Sequence, residues 1–340
     1  MDDLINVQQK LVPDMLEVMT SRYRVLQSIR FLQPIGRRTL ASNLGVTERV
    51  LRGEVTFLHE QGLIDMSSSG MRLTQEGDRL IHTLDDVISD VSGRAELEKQ
   101  LEKQLGATDV VVIPGDSDHQ PWVKTELGLA CVKVMQDYAE AETIIGVTGG
   151  TTLAAVADVM RPFKNNVKPL FISARGGLGE QAENQANTIC TKMAYKADGH
   201  YRLLHVPDQV SEESYQIMTA EPSIHEVLQL IDSAGMIVHG IGDAKTMAER
   251  RRSSEVLLKK IHQERAVAEA FGYYFNRDGE VVHKVKTIGL QLENIYENRT
   301  VIAVAGGHSK AQAIQAYYQQ GPSSILITDE GAARGILNAE

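Results

Sequence analysis

Residues 145–154 read IGVTGGTTLA: an apolar run, two glycines and two threonines ahead of a helix-forming segment. N–H groups at a helix start converge on an anion, and glycine lets the backbone close on it. Gly149, Gly150, Thr151 and Thr152 are therefore read as a phosphate-holding turn. Three more polar, glycine-rich turns follow apolar runs or precede helices: ARGGLGE (174–180), GDAKT (242–246) and GGHSKAQ (306–312). The last repeats the logic of the first, with Gly-Gly after a strand and Lys310 opening a helix. Arg175 and Lys310 would supply positive charge if these loops meet around one anionic ligand. The loops follow neither the GxxxxGK[ST] spacing of a P-loop nor the GxGxxG of a dinucleotide turn after the first strand.

Such residues could serve a catalyst or a sensor. An enolising isomerase or deaminase needs a base within hydrogen-bond reach of the proton it abstracts. Asp243, Glu269, His308 and Asp329 are candidates, but they fall into no recognisable constellation, and no catalytic residue is assigned. Cys131 and Cys190 each stand alone in apolar, helix-like surroundings. With no CxxC pair and no zinc-like cluster, no metal site is assigned and a reduced compartment is implied.

The elements that must carry these loops are short apolar runs alternating with helices. Strands are expected over 109–114, 142–147, 167–173, 201–206, 236–241, 299–305 and 323–329. Strands of this kind imply a mostly parallel, doubly wound α/β sheet covered on both faces, with ligands bound beyond its carboxyl edge. Two stretches, 220–235 and 248–282, read as helical; the second holds the basic run Arg250–Arg252, whose Arg250 could reach a phosphate, and ends in a hairpin-like arm at NRDGEVVH.

The N-terminal quarter has a different charge. Over residues 21–58, Arg22, Arg24, Arg30, Arg37, Arg38, Arg49 and Arg52 face only Glu48 and Glu54, in a chain whose formal net charge is −10. Segregation of this kind is informative where the total is not. Three helices are expected: one ending near Pro34 and Gly36, a second near 37–44, and a third after Thr47, a natural N-cap. Gly45 supplies the tight turn, Val46 is expected to plug the core between the helices, and Val50, Leu51, Val55 and Leu58 give the third helix its apolar positions. LIDMSSSGMRLT then reads as two short strands around a Ser-Gly turn. Order and spacing make this a winged helix-turn-helix, a module that binds double-stranded DNA. Arg49 and Arg52 could reach guanine edges, and Glu48 could accept from a cytosine amine. Arg37, Arg38 and Arg72 are placed for phosphates.

Residues 74–106 read as a helical connector, with Leu97, Leu101 and Leu105 free either to pack on the next domain or to pair with a second copy. The expected division is 1–88 for DNA binding with the connecting helix, and 89–340 for effector binding and oligomerisation. The polar start MDDLINVQQK and the lack of a long apolar run point to a cytoplasmic protein with no membrane partner.

With AVAEAFGYYFNRDG (266–279) and VIAVAGGHSKAQAIQAYYQQGPSSILITDEGAA (301–333), the chain resembles the SorC family of bacterial transcriptional regulators over nearly its whole length. The resemblance implies an effector domain similar to sugar-phosphate isomerases and deaminases, binding a phosphorylated sugar instead of turning it over. It implies a repressor of a triose-phosphate operon, including glyceraldehyde-3-phosphate dehydrogenase, whose operator binding fructose-1,6-bisphosphate weakens. Self-association as a dimer, and as a tetramer on DNA, is expected. The implied effector site comprises Gly149, Gly150, Thr151, Thr152, Arg175, Gln185, Arg250, Glu269 and Lys310, with two cationic clusters for two phosphates. The alternative is a sugar-phosphate isomerase or deaminase whose small domain docks onto protein.

Overall fold

The computed structural model describes residue 11 and residues 13–91, 93–140, 142–177, 181–295, 299–320 and 323–338. These fall into two compact units, divided between Leu97 and Glu98.

In the first unit, helix α1 (Pro13–Leu32) stops short of Pro34, as expected. Helix α2 (Arg37–Leu44) ends on Gly45 at φ 66, a left-handed cap that few residues other than glycine adopt at low cost. Thr47 caps α3 (Glu48–Glu60) by accepting from the N–H of Val50. Leu51, Val55 and Leu58, spaced i, i+4, i+7, are its buried residues, and they pack with Leu26, Ile29 and Leu40. Strands β1 (Ile64–Ser67) and β2 (Gly70–Leu73) form the antiparallel hairpin of a wing. Ile35 bridges to Met71 by hydrogen bonds in both directions and adds a third rung. Helix α4 (Gln75–Val91) follows.

Helix α5 (Arg94–Leu105) buries Leu101 and Leu105 in the core of the second unit, and Gln104 donates to the carbonyl of Ile336. Then come β3 (Asp109–Ile113), α6 (Pro121–Tyr138), β4 (Ile144–Val147), α7 (Thr151–Val159), β5 (Leu170–Ser173), α8 (Ala186–Ala197), β6 (His200–Arg202), α9 (Glu212–Ala220), α10 (Pro222–Ser233) and β7 (Met236–Gly240). All seven expected strands join one parallel sheet, in the order β3-β13-β12-β7-β4-β5-β6, completed by β12 (Thr300–Val304) and β13 (Ile325–Asp329). Apolar clusters cover both faces. From β4 the chain winds outward through β5 and β6, then returns to lay β7 on the other side of β4. Such a reversal leaves a crevice at the strand ends, because the two flanking loops lead away in opposite directions.

The stretch read as helical over 248–282 is largely something else. Between β7 and β12, strands β8 (Gly242–Asp243), β9 (Ala268–Ala270), β10 (Tyr273–Phe275) and β11 (Val281–Lys284) form a separate antiparallel sheet, with helices α11 (Ala244–Arg250) and α12 (Glu255–Gln263) inserted after β8. The hairpin-like arm is its outer edge. Helices α13 (Ala311–Tyr318) and α14 (Glu330–Leu337) complete the second unit.

Candidate functional site

A cavity of about 530 Å³ opens at the carboxyl ends of the parallel strands, where the loops after β4 and β7 diverge. The loop after β4 is Thr148–Gly149–Gly150. Gly150 sits at φ 121 and its N–H donates to the carbonyl of Asn184 at 2.9 Å. A Cβ on Gly149 would lie 2.7 Å from that same oxygen, so only glycine lets the loop press so closely on the segment carrying Gln185. The first-turn N–H groups of α7 have no acceptor within the helix, and its positive end faces the cavity.

Opposite this helix start stand three cations. The ammonium of Lys310 donates to the carbonyl of Ile241 at 2.9 Å. Burial lowers its pKa, and the nearby charges of Lys124 and Arg250 lower it further, against Asp118 and Asp243. Among the described residues, neither Lys124 nor Arg250 has a carboxylate partner. Three positive charges against the two carboxylates of Asp118 and Asp243, gathered beside open amides, make a local environment that an anion would relieve.

The other wall is charge-compensated. Asp208 accepts from Arg175 at 2.7 Å through one oxygen and from Arg251 at 2.9 Å through the other. Arg251, its side chain only 4% exposed, also donates to Glu269 at 2.9 Å and to the Tyr274 hydroxyl at 3.1 Å. Glu269 accepts in addition from the N–H of Gly272 at 2.7 Å. Burial opposes the charge on Asp208, but the two guanidiniums outweigh it and hold the carboxyl below its ordinary range. Two arginines thus meet two carboxylates. The expected second cationic cluster is a neutral quartet, in which the buried Nε of Arg175 has no partner.

Gly149, Gly150, Thr151 and Thr152 line this cavity together with Arg175, Gln185, Arg250, Glu269 and Lys310. The loop at 306–310 does not repeat the first, however. Its N–H groups are already taken: Gly307 donates to Asp329 at 2.7 Å, His308 to Asp116 at 3.3 Å and Ser309 to Asp118 at 2.7 Å. Carboxylates from the protein fill the place of a bound anion; Gly306, Ser309 and Lys310 of this loop line the cavity, and of the three only Lys310 brings a charge. Of the four candidate bases, Asp243 and Glu269 line the cavity, whereas His308 and Asp329 do not. Asp329 is fully buried and caps α14.

Sequence reasoning missed Arg251, indistinguishable in a run of three arginines, and Asp208, whose only signal was a carboxylate beyond an apolar strand. It also missed His239, the buried end of β7, which bonds Ser323 at 2.8 Å and Tyr317 at 3.2 Å. Burial pulls its pKa down to about 4, so it stays neutral. Cys131 and Cys190 are free and buried, and burial pushes the Cys190 thiol up to about 12. Among the described residues no His/Cys/Asp/Glu group could hold a metal ion, and no helix is long and apolar enough to cross a membrane.

In the first unit, Arg37, Arg49, Arg52 and Arg72 are exposed and have no carboxylate partner among the described residues. Glu48 pairs with Arg38 at 2.9 Å, which occupies the oxygen expected to face a cytosine. Two of the seven arginines are structural: Arg22 pairs with Glu54 and stacks on Phe57, and Arg30 pairs with Asp78. Val46 does not plug the core and Val50 does not face it; they are 41% and 58% exposed. Leu40, Leu51 and Val55 already fill that space, which leaves both valines outside.

A winged helix-turn-helix ahead of a parallel-sheet domain with a cavity at its strand ends has the architecture of a ligand-responsive transcriptional regulator. Residues 89–338 match the sugar-binding domain family and residues 18–88 match the CggR N-terminal DNA binding domain. The chain belongs to the central glycolytic genes regulators of the SorC family, and as such is a DNA-binding regulator and not an enzyme. It is 57% identical to the central glycolytic genes regulator of Priestia megaterium over 338 residues, 99% of each chain. Identity to that of Bacillus subtilis is 54% over the full length of both. A SorC family transcriptional regulator from Enterococcus faecalis, 44% identical, superposes with a TM-score of 0.68 over 72% of this chain and all of its own. The full-length sorbitol operon regulator of Klebsiella pneumoniae shares the fold at 16% identity, with a TM-score of 0.69 over 90% of this chain and 95% of its own.

Proposed function

We propose that this chain represses a triose-phosphate operon of central glycolysis and releases it when fructose-1,6-bisphosphate fills the cavity. The observation that carries the reading is the meeting of an uncapped helix start with Lys310, Lys124 and Arg250 on one cavity of small-molecule size. One phosphate rests on the amides of Thr151 and Thr152 and on those cations. The sugar hydroxyls fall to Glu269 and Gln185, and the second phosphate to Arg175. In the DNA-binding module, residues 1–88, Arg49 and Arg52 read base edges while Arg37, Arg38 and Arg72 hold phosphates, with Thr47 ordering the helix start. Residues 89–340 bind the effector and hold copies together as a dimer, and as a tetramer on DNA. Effector and operator are coupled through that assembly: each weakens the other by the same factor.

Fluorescence anisotropy on DNA from upstream of its own operon, at one stated salt concentration, tests this. Fructose-1,6-bisphosphate is titrated in, with fructose-6-phosphate and glucose-6-phosphate as controls. Selective weakening by the bisphosphate is expected. Tight binding that no phosphosugar disturbs would remove the effector assignment, and lack of specific DNA binding would overturn the repressor.

A further inference from the structure

Helix α3 carries an apolar feature that its packing does not use. Its core stripe is Leu51, Val55 and Leu58. At about 100° per residue, Arg49 and Gly53 lie opposite that stripe, with Arg52 to one side and Val50 to the other. Val50 is 58% exposed, and Val46, in the turn before the helix, is 41% exposed. A Cβ on Gly53 would meet nothing within 4 Å, so the middle of this outward face is bare backbone, open to close approach. The surroundings are cationic, since Arg37, Arg49, Arg52 and Arg72 are all exposed without carboxylate partners among the described residues. An apolar protein partner would have to desolvate those charges, whereas a polyanion is attracted by them. The partner that fits must therefore be anionic in outline yet offer an apolar group at side-chain depth. In duplex DNA the thymine C5-methyl is the one base substituent of that kind in the major groove.

We propose that Val50, with Val46 beside it, reads a thymine methyl in each operator half-site and so sets specificity alongside the arginines. This rests on the DNA-binding reading above. Val50 is a specificity residue of the apolar kind; its contact adds little to non-specific affinity and discriminates thymine from the other bases.

The test uses the full chain and an operator fragment located by footprinting. Each thymine of a half-site is replaced singly by uracil, which removes the methyl and nothing else. Wild type is expected to bind about fourfold more weakly at one or two positions, the factor for one methyl returned to water. Val50→Ala should bind the thymine operator more weakly by a similar factor and be indifferent to uracil at those positions, with an unchanged melting temperature. Val50→Ile, which keeps the apolar surface, should retain the uracil effect. Indifference of wild type to every replacement would overturn the proposal, as would full uracil sensitivity in Val50→Ala. A shift in sedimentation of Val50→Ala without any uracil coupling would instead assign the valines to contact between copies. Failure of wild type to bind the unmodified operator specifically would overturn the DNA-binding reading itself, and is seen before any substitution is made.

Discussion

The loops after β4 and β12 look alike in the chain and behave differently in the fold. Each places two glycines after an apolar strand and ahead of a helix. At Thr148–Thr152 the helix opens onto the cavity with its first-turn amides available. At Gly306–Lys310 the amides are closed by Asp329, Asp116 and Asp118, all from neighbouring strand ends. A glycine pair after a strand thus encodes a turn. Whether that turn becomes an anion site depends on which side chains reach it first. The strand between them, β7, and the residue that follows it hold both: the N–H of Thr148 donates to Val238 at 3.2 Å, and the Lys310 ammonium to Ile241 at 2.9 Å.

The largest effect should come from His239, which stands on β7 between the two loops. Its folded pKa of about 4 lies below the 6.5 of the unfolded chain. The unfolded state therefore binds the extra proton first, and stability is complete above about pH 6.5 and lost as pH falls toward 4. A loss of about 3 kcal/mol is expected across that window. Chemical denaturation of wild type and His239→Gln at pH 7 and pH 4.5 checks this, and the variant should show a flatter profile.

If the second loop contributes only its lysine, Lys310→Ala should cost about 10- to 100-fold in phosphosugar affinity, in line with a charge-assisted hydrogen bond. Operator affinity without effector should be unchanged. Calorimetry with fructose-1,6-bisphosphate reads the first and anisotropy the second. An equal loss from Ser309→Ala would mean that the hydroxyl, and not the lysine alone, serves the ligand.

Asp329→Asn should act on the fold. Its carboxylate accepts from Ser117, Gly307 and Ala332, and losing that acceptor is expected to cost about 1–3 kcal/mol of stability. The expected accompanying change in phosphosugar affinity is small. Thr151→Val should be the mildest, since the backbone amides survive. A loss of about threefold to tenfold in phosphosugar affinity, with stability unchanged, would separate the hydroxyl's share from the amides'.

Much of this molecule was legible because its signals are local. Seven short apolar runs became the seven strands of one sheet, as buried parallel strands have little other use for such runs. The antiparallel sheet escaped notice because β9 and β10 are three residues each, and AVAEAFGYYF has no alternation that separates strand from helix. The nine residues of the expected effector set all line one cavity: most sit on turns at strand ends, whereas Arg250 closes helix α11 and Glu269 lies within β9. Their electrostatic roles were not legible. Arg250 and Arg251 are neighbours, yet one joins a cationic cluster and the other a buried neutral quartet, because a step of one residue at the end of a helix turns a side chain by about 100°.

By itself the chain determined where the turns fall, which runs are buried and which quarter carries the positive charge, for these follow from residue type and near-neighbour spacing. Tertiary structure alone decided which amides remain open, which arginines are compensated and which valines stay outside the core. Each of those depends on a partner distant in sequence: Asp208 lies 33 residues from Arg175 and 43 from Arg251, and Asp329 lies 22 from Gly307. Hydrogen bonds and charges act over a few ångströms, so only the fold, by bringing those partners together, could assign them.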